Sequence, residues 1–137
     1  MDDDALTAKH VVTCFLMYNN RILILKRSDK VKTHKKKWAG VSGYIEPEET
    51  DDVTALKEIG EETGLVQDDI ELLYKGEPIH VQDGPHVWVV HPFLFKTRTD
   101  RITIDWEHTE YRWIRPEDLK NYDFVVFLDH ALAAVMK

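Results

Sequence analysis

Glu58, Glu61 and Glu62 stand at i, i+3 and i+4 of a segment, Asp51 to Thr63, whose composition predicts a helix. On a helix those spacings share one face. Three like charges there repel by a few tenths of a kcal/mol per pair, and a divalent cation turns that repulsion into a reason for the arrangement. Magnesium prefers oxygen ligands, is commonly held by one or two carboxylates, and bridges to substrate phosphates. On an isolated helix the same run would read as a solvated acidic face, with Lys57 paired to Glu61 four residues on. A helical wheel puts Val53, Leu56, Ile59 and Gly60 on one side, toward a core, and the three glutamates on the other.

The residues around this helix decide between the two readings. Gly43 is followed after five residues by Glu49, and seven residues later by Lys57-Glu58-Ile59-Gly60-Glu61-Glu62-Thr63-Gly64-Leu65. This pattern resembles the Nudix box, matching every fixed position except the arginine, which is Lys57. The resemblance implies an α/β (α+β) fold, an α/β/α sandwich around a mixed central sheet. It also implies a Nudix hydrolase acting on phosphorus-containing anhydrides. Such enzymes cleave the diphosphate bond of a nucleoside diphosphate linked to another moiety, using magnesium or manganese. Nucleotide sugars, ADP-ribose, nucleoside triphosphates and dinucleoside polyphosphates all fit that description.

By the same resemblance Glu58, Glu61 and Glu62 hold the metal, with Glu58 also the candidate base, and the Ser42 backbone carbonyl joins the shell. Glu107 and Glu110 are rival further acids. Arg27 matches a phosphate-contacting arginine, and Trp106 could stack on a base. Glu46 and Glu49 would support the corner between loop and helix. Lysine at 57 keeps the charge of the family arginine but loses its bidentate fork, so retuned activity is expected. A catalytically silent module that binds a nucleotide is the alternative. An isoprenoid diphosphate isomerase is rejected, because no cysteine follows Cys14.

Around these residues the 137-residue chain reads as one domain, with residues 1–9 a flexible acidic terminus. Val11–Tyr18 and Ile22–Leu25 are apolar runs joined by Asn19-Asn20, a hairpin signal because Asn tolerates φ > 0. Ala39–Ile45, Ile70–Tyr74, His86–Phe95 and Glu110–Arg115 read as further strands. Thr50 or Asp51 would cap the glutamate helix, and Gly64 would end it. Asp123 to Lys137 reads as a last helix with Phe124, Phe127, Leu128, Ala131 and Val135 as its stripe. Val125, Val126, Leu132 and Met136 beside it offer either a homodimer contact or extra core.

Net charge is −7, yet between Lys26 and Lys37 seven basic residues meet a single acid, Asp29. An acidic body with one basic strip argues against duplex nucleic acid or an anionic membrane as partner. The strip, with Lys35-Lys36-Lys37, reads as a solvated loop. No apolar run approaches a membrane span and the acidic start is no signal peptide, so a cytoplasmic protein with a small-molecule nucleotide substrate is expected. The seven histidines show no zinc-like spacing and read as structural, and Cys14 as a small buried group.

Overall fold

The computed structural model describes residues 8–136. Eight strands and two α-helices follow in the order β1 (Lys9–Tyr18), β2 (Arg21–Arg27), β3 (Trp38–Ala39), β4 (Val41–Tyr44), α1 (Asp51–Thr63), β5 (Ile70–Lys75), β6 (Ile79–Asp83), β7 (His86–Thr97), β8 (His108–Ile114) and α2 (Leu128–Val135). Lys9 already lies in β1. The rest of the acidic terminus, residues 1–7, falls outside the described residues.

The sheet is mixed. β1 runs parallel to β7 and antiparallel to β2 and β4, while β7 takes β5 and β6 on its other side. Asn19 and Asn20 turn the first hairpin at φ 51° and 64°, the left-handed pair that a two-residue turn needs. Beyond that turn the hairpin splays. β1 pairs with β2 only at Met17 and Tyr18, and from Val11 to Cys14 its partner is β4. β2 goes its own way with β3 and β8. The sheet is therefore forked, and the fork leaves room for a cleft.

Alternation along β1 fills two cores. Val12, Cys14 and Leu16 face α1, meeting Ala55, Ile59 and Phe93. Val11 and Phe15 face α2, meeting Leu128, Ala131 and Val135. Helix, sheet and helix form the expected three layers.

Thr50 caps α1 by accepting the Val53 N–H, and Gly64 closes it at φ 75°. The buried side is only in part the one that the wheel gives: Ile59 is buried and Leu56 packs partly against the core. Val53 is 53% exposed and Gly60 is exposed, whereas Ala55, Ile59 and Glu62 are buried. The helix is rolled so that the Glu58–Glu62 edge leans onto the sheet.

The last helix is also shorter than expected. Asp123 to Val125 spend their backbone groups on Trp38: the Trp38 N–H donates to Asp123 O, and the Val125 N–H to Trp38 O. Those groups cannot then serve a helix, which starts only at Leu128. Val125 and Leu132 are core, while Val126 and Met136 are exposed. β6 had no counterpart in the sequence reading.

The two glycines of α1 should respond oppositely to alanine. A Cβ on Gly60 meets nothing nearer than Leu65 O at 3.8 Å, so Gly60→Ala should raise the unfolding free energy by about 0.5–1 kcal/mol. Gly64→Ala, forced to hold a left-handed φ, should lower it by about 1–2 kcal/mol. Denaturant unfolding of both variants checks the two signs.

Candidate active site

A cleft of about 360 Å³ opens where the sheet forks, at the free edge of β4. One wall is acidic: Glu58 and Glu61 come from α1, Asp105 and Glu107 from the loop before β8. Gly43 sits inside β4, paired with Val12, not at a turn off the strand. A side chain there would collide with Glu58, whose Oε2 lies 2.7 Å from the place of a Cβ. The glycine of the motif is the seat of the first glutamate.

Glu62 lies behind Glu58 and is almost fully buried. Its Oε1 accepts the Ser42 N–H at 3.4 Å and lies 3.7 Å from His108 Nε2. Burial pushes its carboxyl well above the ordinary range, and the neighbouring Glu58 adds to this through a shared hydrogen bond and like charge. Glu58 is raised as well, first by desolvation, while the hydrogen bond with Glu62 pulls the other way. Burial and the nearness of the two carboxyls thus both oppose full ionisation of the pair.

Glu107 is raised by desolvation and by Asp105, with Arg27 opposing. Of the two rival acids, Glu107 lines the cleft. Glu110 instead pairs with Lys26 at 3.6 Å and Arg112 at 3.5 Å. Trp106 is 65% exposed at the cleft mouth, and Ser42 lines its floor.

Lys57 does not pair with Glu61. Its Nζ reaches back 2.8 Å to Glu49 Oε2. The Glu49 Oε1 accepts the Thr54 hydroxyl at 2.9 Å and the Glu46 N–H at 3.3 Å. The Lys57 hydrogen bond is the main reason that Glu49 titrates below its usual range and Lys57 above. Glu49 thus ties the loop to the first turns of α1.

Arg27, at the end of β2, donates from Nε to Thr33 O at 3.0 Å and from Nη2 to Thr33 Oγ1 at 3.4 Å. Its guanidinium is thereby aimed into the cleft with donors to spare. The basic strip is a loop closed by reciprocal backbone bonds of Arg27 with Lys36 and Lys37. Lys35 and Lys36 are exposed, and Lys37 is tied to Asp123 at 3.0 Å.

His108 belongs to the site although it reads as structural in the sequence. Its side chain is buried, Nδ1 donates to Asp105 Oδ1 at 2.7 Å, and Nε2 faces Glu62. Desolvation lowers its pKa, with Asp105 opposing. The available signal was the Asp-x-x-His spacing of Asp105 and His108.

No three histidine, cysteine, aspartate or glutamate side chains among the described residues stand as a ready-made cation cage. The donor set nevertheless fits a hard divalent cation. Carboxylate oxygens from α1 and from the 105–107 loop face one space, and desolvation raises the pKa of Glu58 and of Glu107 there.

Comparison with known proteins identifies the family. The family model of the NUDIX domain matches residues 8–135. The chain is 29% identical to the nucleoside triphosphatase NudI of Salmonella newport over 134 residues, covering 91% of this chain and 95% of that one. Among solved structures, the MutT protein of Methanosarcina mazei Go1 superposes with a TM-score of 0.77 at 18% identity, covering 92% and 91% of the two chains. A C. elegans Ap4A hydrolase gives 0.75 at 16% identity, covering 93% and 94%. With the match running from the start of β1 to the end of α2, the chain belongs to the Nudix family of hydrolases.

Proposed function

We propose that this Nudix hydrolase is a divalent-cation-dependent pyrophosphohydrolase. It cleaves the diphosphate bond of a nucleoside diphosphate linked to another moiety, nucleoside triphosphates first among them. The observation that carries this reading is the acidic wall of Glu58, Glu61 and Glu107 facing the oriented Arg27 across one cleft. The similarity to NudI, a nucleoside triphosphatase, favours a triphosphate. The Ap4A hydrolase keeps dinucleoside polyphosphates in view.

Glu58 and Glu61, backed by Glu62 and joined by Glu107, would hold magnesium or manganese, with the Ser42 carbonyl completing the set. The bound cation would neutralise phosphate charge and acidify water. Arg27 binds a phosphate oxygen with the donors that Thr33 leaves free. Glu58, with its raised pKa, takes a proton from the attacking water. Lys57 and Glu49 keep the loop and helix in register, which supports the active reading over a silent nucleotide-binding module.

In the same reading residues 1–137 form one Nudix domain acting in the cytoplasm on a small molecule, without duplex nucleic acid. No helix of the described residues is long and apolar enough to cross a membrane.

Incubation with magnesium and a panel of nucleoside triphosphates, nucleotide sugars and dinucleoside polyphosphates should release phosphate-containing products. Glu58→Gln should lower kcat by about 10²–10⁴-fold, the scale of a lost general base. A folded chain that turns over no member of the panel would refute the proposal. Lys57 supplies a separate check. Lys57→Ala should lower kcat/KM by about tenfold, the order expected when a ligand's supporting partner is removed. Lys57→Arg should change the rate and the magnesium dependence, because the fork returns. Unchanged kinetics in both variants would show that position 57 has no part in the site.

A further inference from the structure

The acidic wall accounts for only part of the cleft. Its other end is aromatic and apolar, lined by Tyr44, Trp88, Phe127 and His34. The covalent geometry of β4 explains why the two ends meet. Successive strand residues point to opposite faces. Gly43 faces α1 and seats Glu58, while Tyr44, the next residue, faces the other way and packs on Trp88. The acidic and aromatic ends of the cleft meet along the free edge of β4.

The aromatic end is braced. The Tyr44 and Trp88 rings stack at 6.0 Å and 29°. Trp88 is buried, and Phe127 supports it at 6.4 Å and His34 at 6.2 Å. His34 holds a left-handed φ of 54° in the basic loop, and its Nε2 is fastened to Asp83 Oδ2 of β6 at 2.9 Å. The basic loop is thus pinned to the end of β6 here. Tyr44 itself is 50% exposed: Trp88 packs on its ring, and the mobile end of the Lys9 side chain lies 5.9 Å from the ring centre, a cation a stacking base can displace or share. Trp106 is more exposed still, but no ring among the described residues stacks on it. A ring already immobilised loses little freedom when a second ring stacks on it.

We propose that this end binds the planar base of the substrate, with Tyr44 as the stacking residue and the Trp88–Phe127–His34 cluster as its support. The inference rests on the pyrophosphohydrolase reading and adds an orientation to it. The nucleotide lies across the β4 edge, its base on the Tyr44 side and its diphosphate on the Glu58 side. Recognition is through the face of the ring, and the pinned basic loop sets the width of the slot.

The test is equilibrium binding of ADP and of inorganic pyrophosphate, each with magnesium, to the full chain by titration calorimetry. Tyr44→Ala should weaken ADP by about tenfold or more, the scale of one lost base stack, and leave pyrophosphate affinity unchanged. Tyr44→Phe, which keeps the ring, should retain ADP affinity and so separates stacking from misfolding. The proposal is overturned if Tyr44→Ala weakens both ligands equally, if it leaves ADP unaffected, or if Trp106→Ala and not Tyr44→Ala weakens ADP. Because the readout is affinity, the two readings fail separately. Tyr44-dependent ADP binding without hydrolysis of any nucleotide sinks the enzymatic reading and keeps this one. Hydrolysis with ADP affinity indifferent to Tyr44 does the reverse.

Discussion

A carboxyl buried against the sheet, with a second one lying over it at the cleft, is the constraint on which the rest of this molecule turns. Glu62 is buried against the sheet, and Glu58 lies beside it over Gly43. Desolvation and mutual repulsion both raise the pKa of the pair and so disfavour full ionisation. A buried charge without a partner is among the costlier features a protein can carry. The sequence around the pair nonetheless goes to some length to hold it. Gly43 gives up a side chain, the Ser42 N–H is turned onto Glu62, and His108 is fixed by Asp105 on the far side. On the proposed reading, that cost is offset when a divalent cation binds at the site.

The fork in the sheet opens a cleft beside this pair. β4 enters where β1 and β2 part, so one of its edges is free, and the cleft follows that edge. Strand alternation then sorts chemistry by face, acid on the α1 side and aromatic rings on the other. Arg27 and the basic loop close the opening from β2. The net charge of −7 is consistent with phosphate ligands once part of it is understood as a carboxylate wall awaiting divalent charge. Net charge describes the whole surface, and a nucleotide meets only this cleft.

Much of this was legible in the residues, and the limit of legibility is physical. Spacing within one element is local, so the Asn19-Asn20 turn, the bounds of α1, its Thr50 cap and its Gly64 stop could all be read directly. The acidic motif was equally local. What could not be read was the roll of α1. The wheel counts Val53 and Gly60 as apolar, but the helix turns toward the gap at Gly43, a contact between residues fifteen apart in sequence. The choice of Glu107 over Glu110 depended on the path of β8 alongside β2. The late start of α2 depended on Trp38 claiming the backbone of Asp123 and Val125. His108 was passed over because its partner Glu62 lies on another element.

The central claim is that Glu62 is held in a place that opposes its own charge until a cation arrives. Its folded pKa is raised, so in metal-free protein the native state binds more protons than the unfolded one above about pH 4.5, and stability falls as pH rises through that window. The most direct measurement is the difference in Tm between the parent chain and Glu62→Gln, which mimics the neutral carboxyl, from pH 4.5 to 8 with chelator and with magnesium. With chelator, Glu62→Gln should be the more stable protein at pH 7.5, and the gap should close toward pH 4.5. Magnesium should raise the parent's Tm at pH 7.5 and the variant's much less. A variant less stable than the parent in chelator at pH 7.5, or a magnesium effect equal in both, would contradict the account.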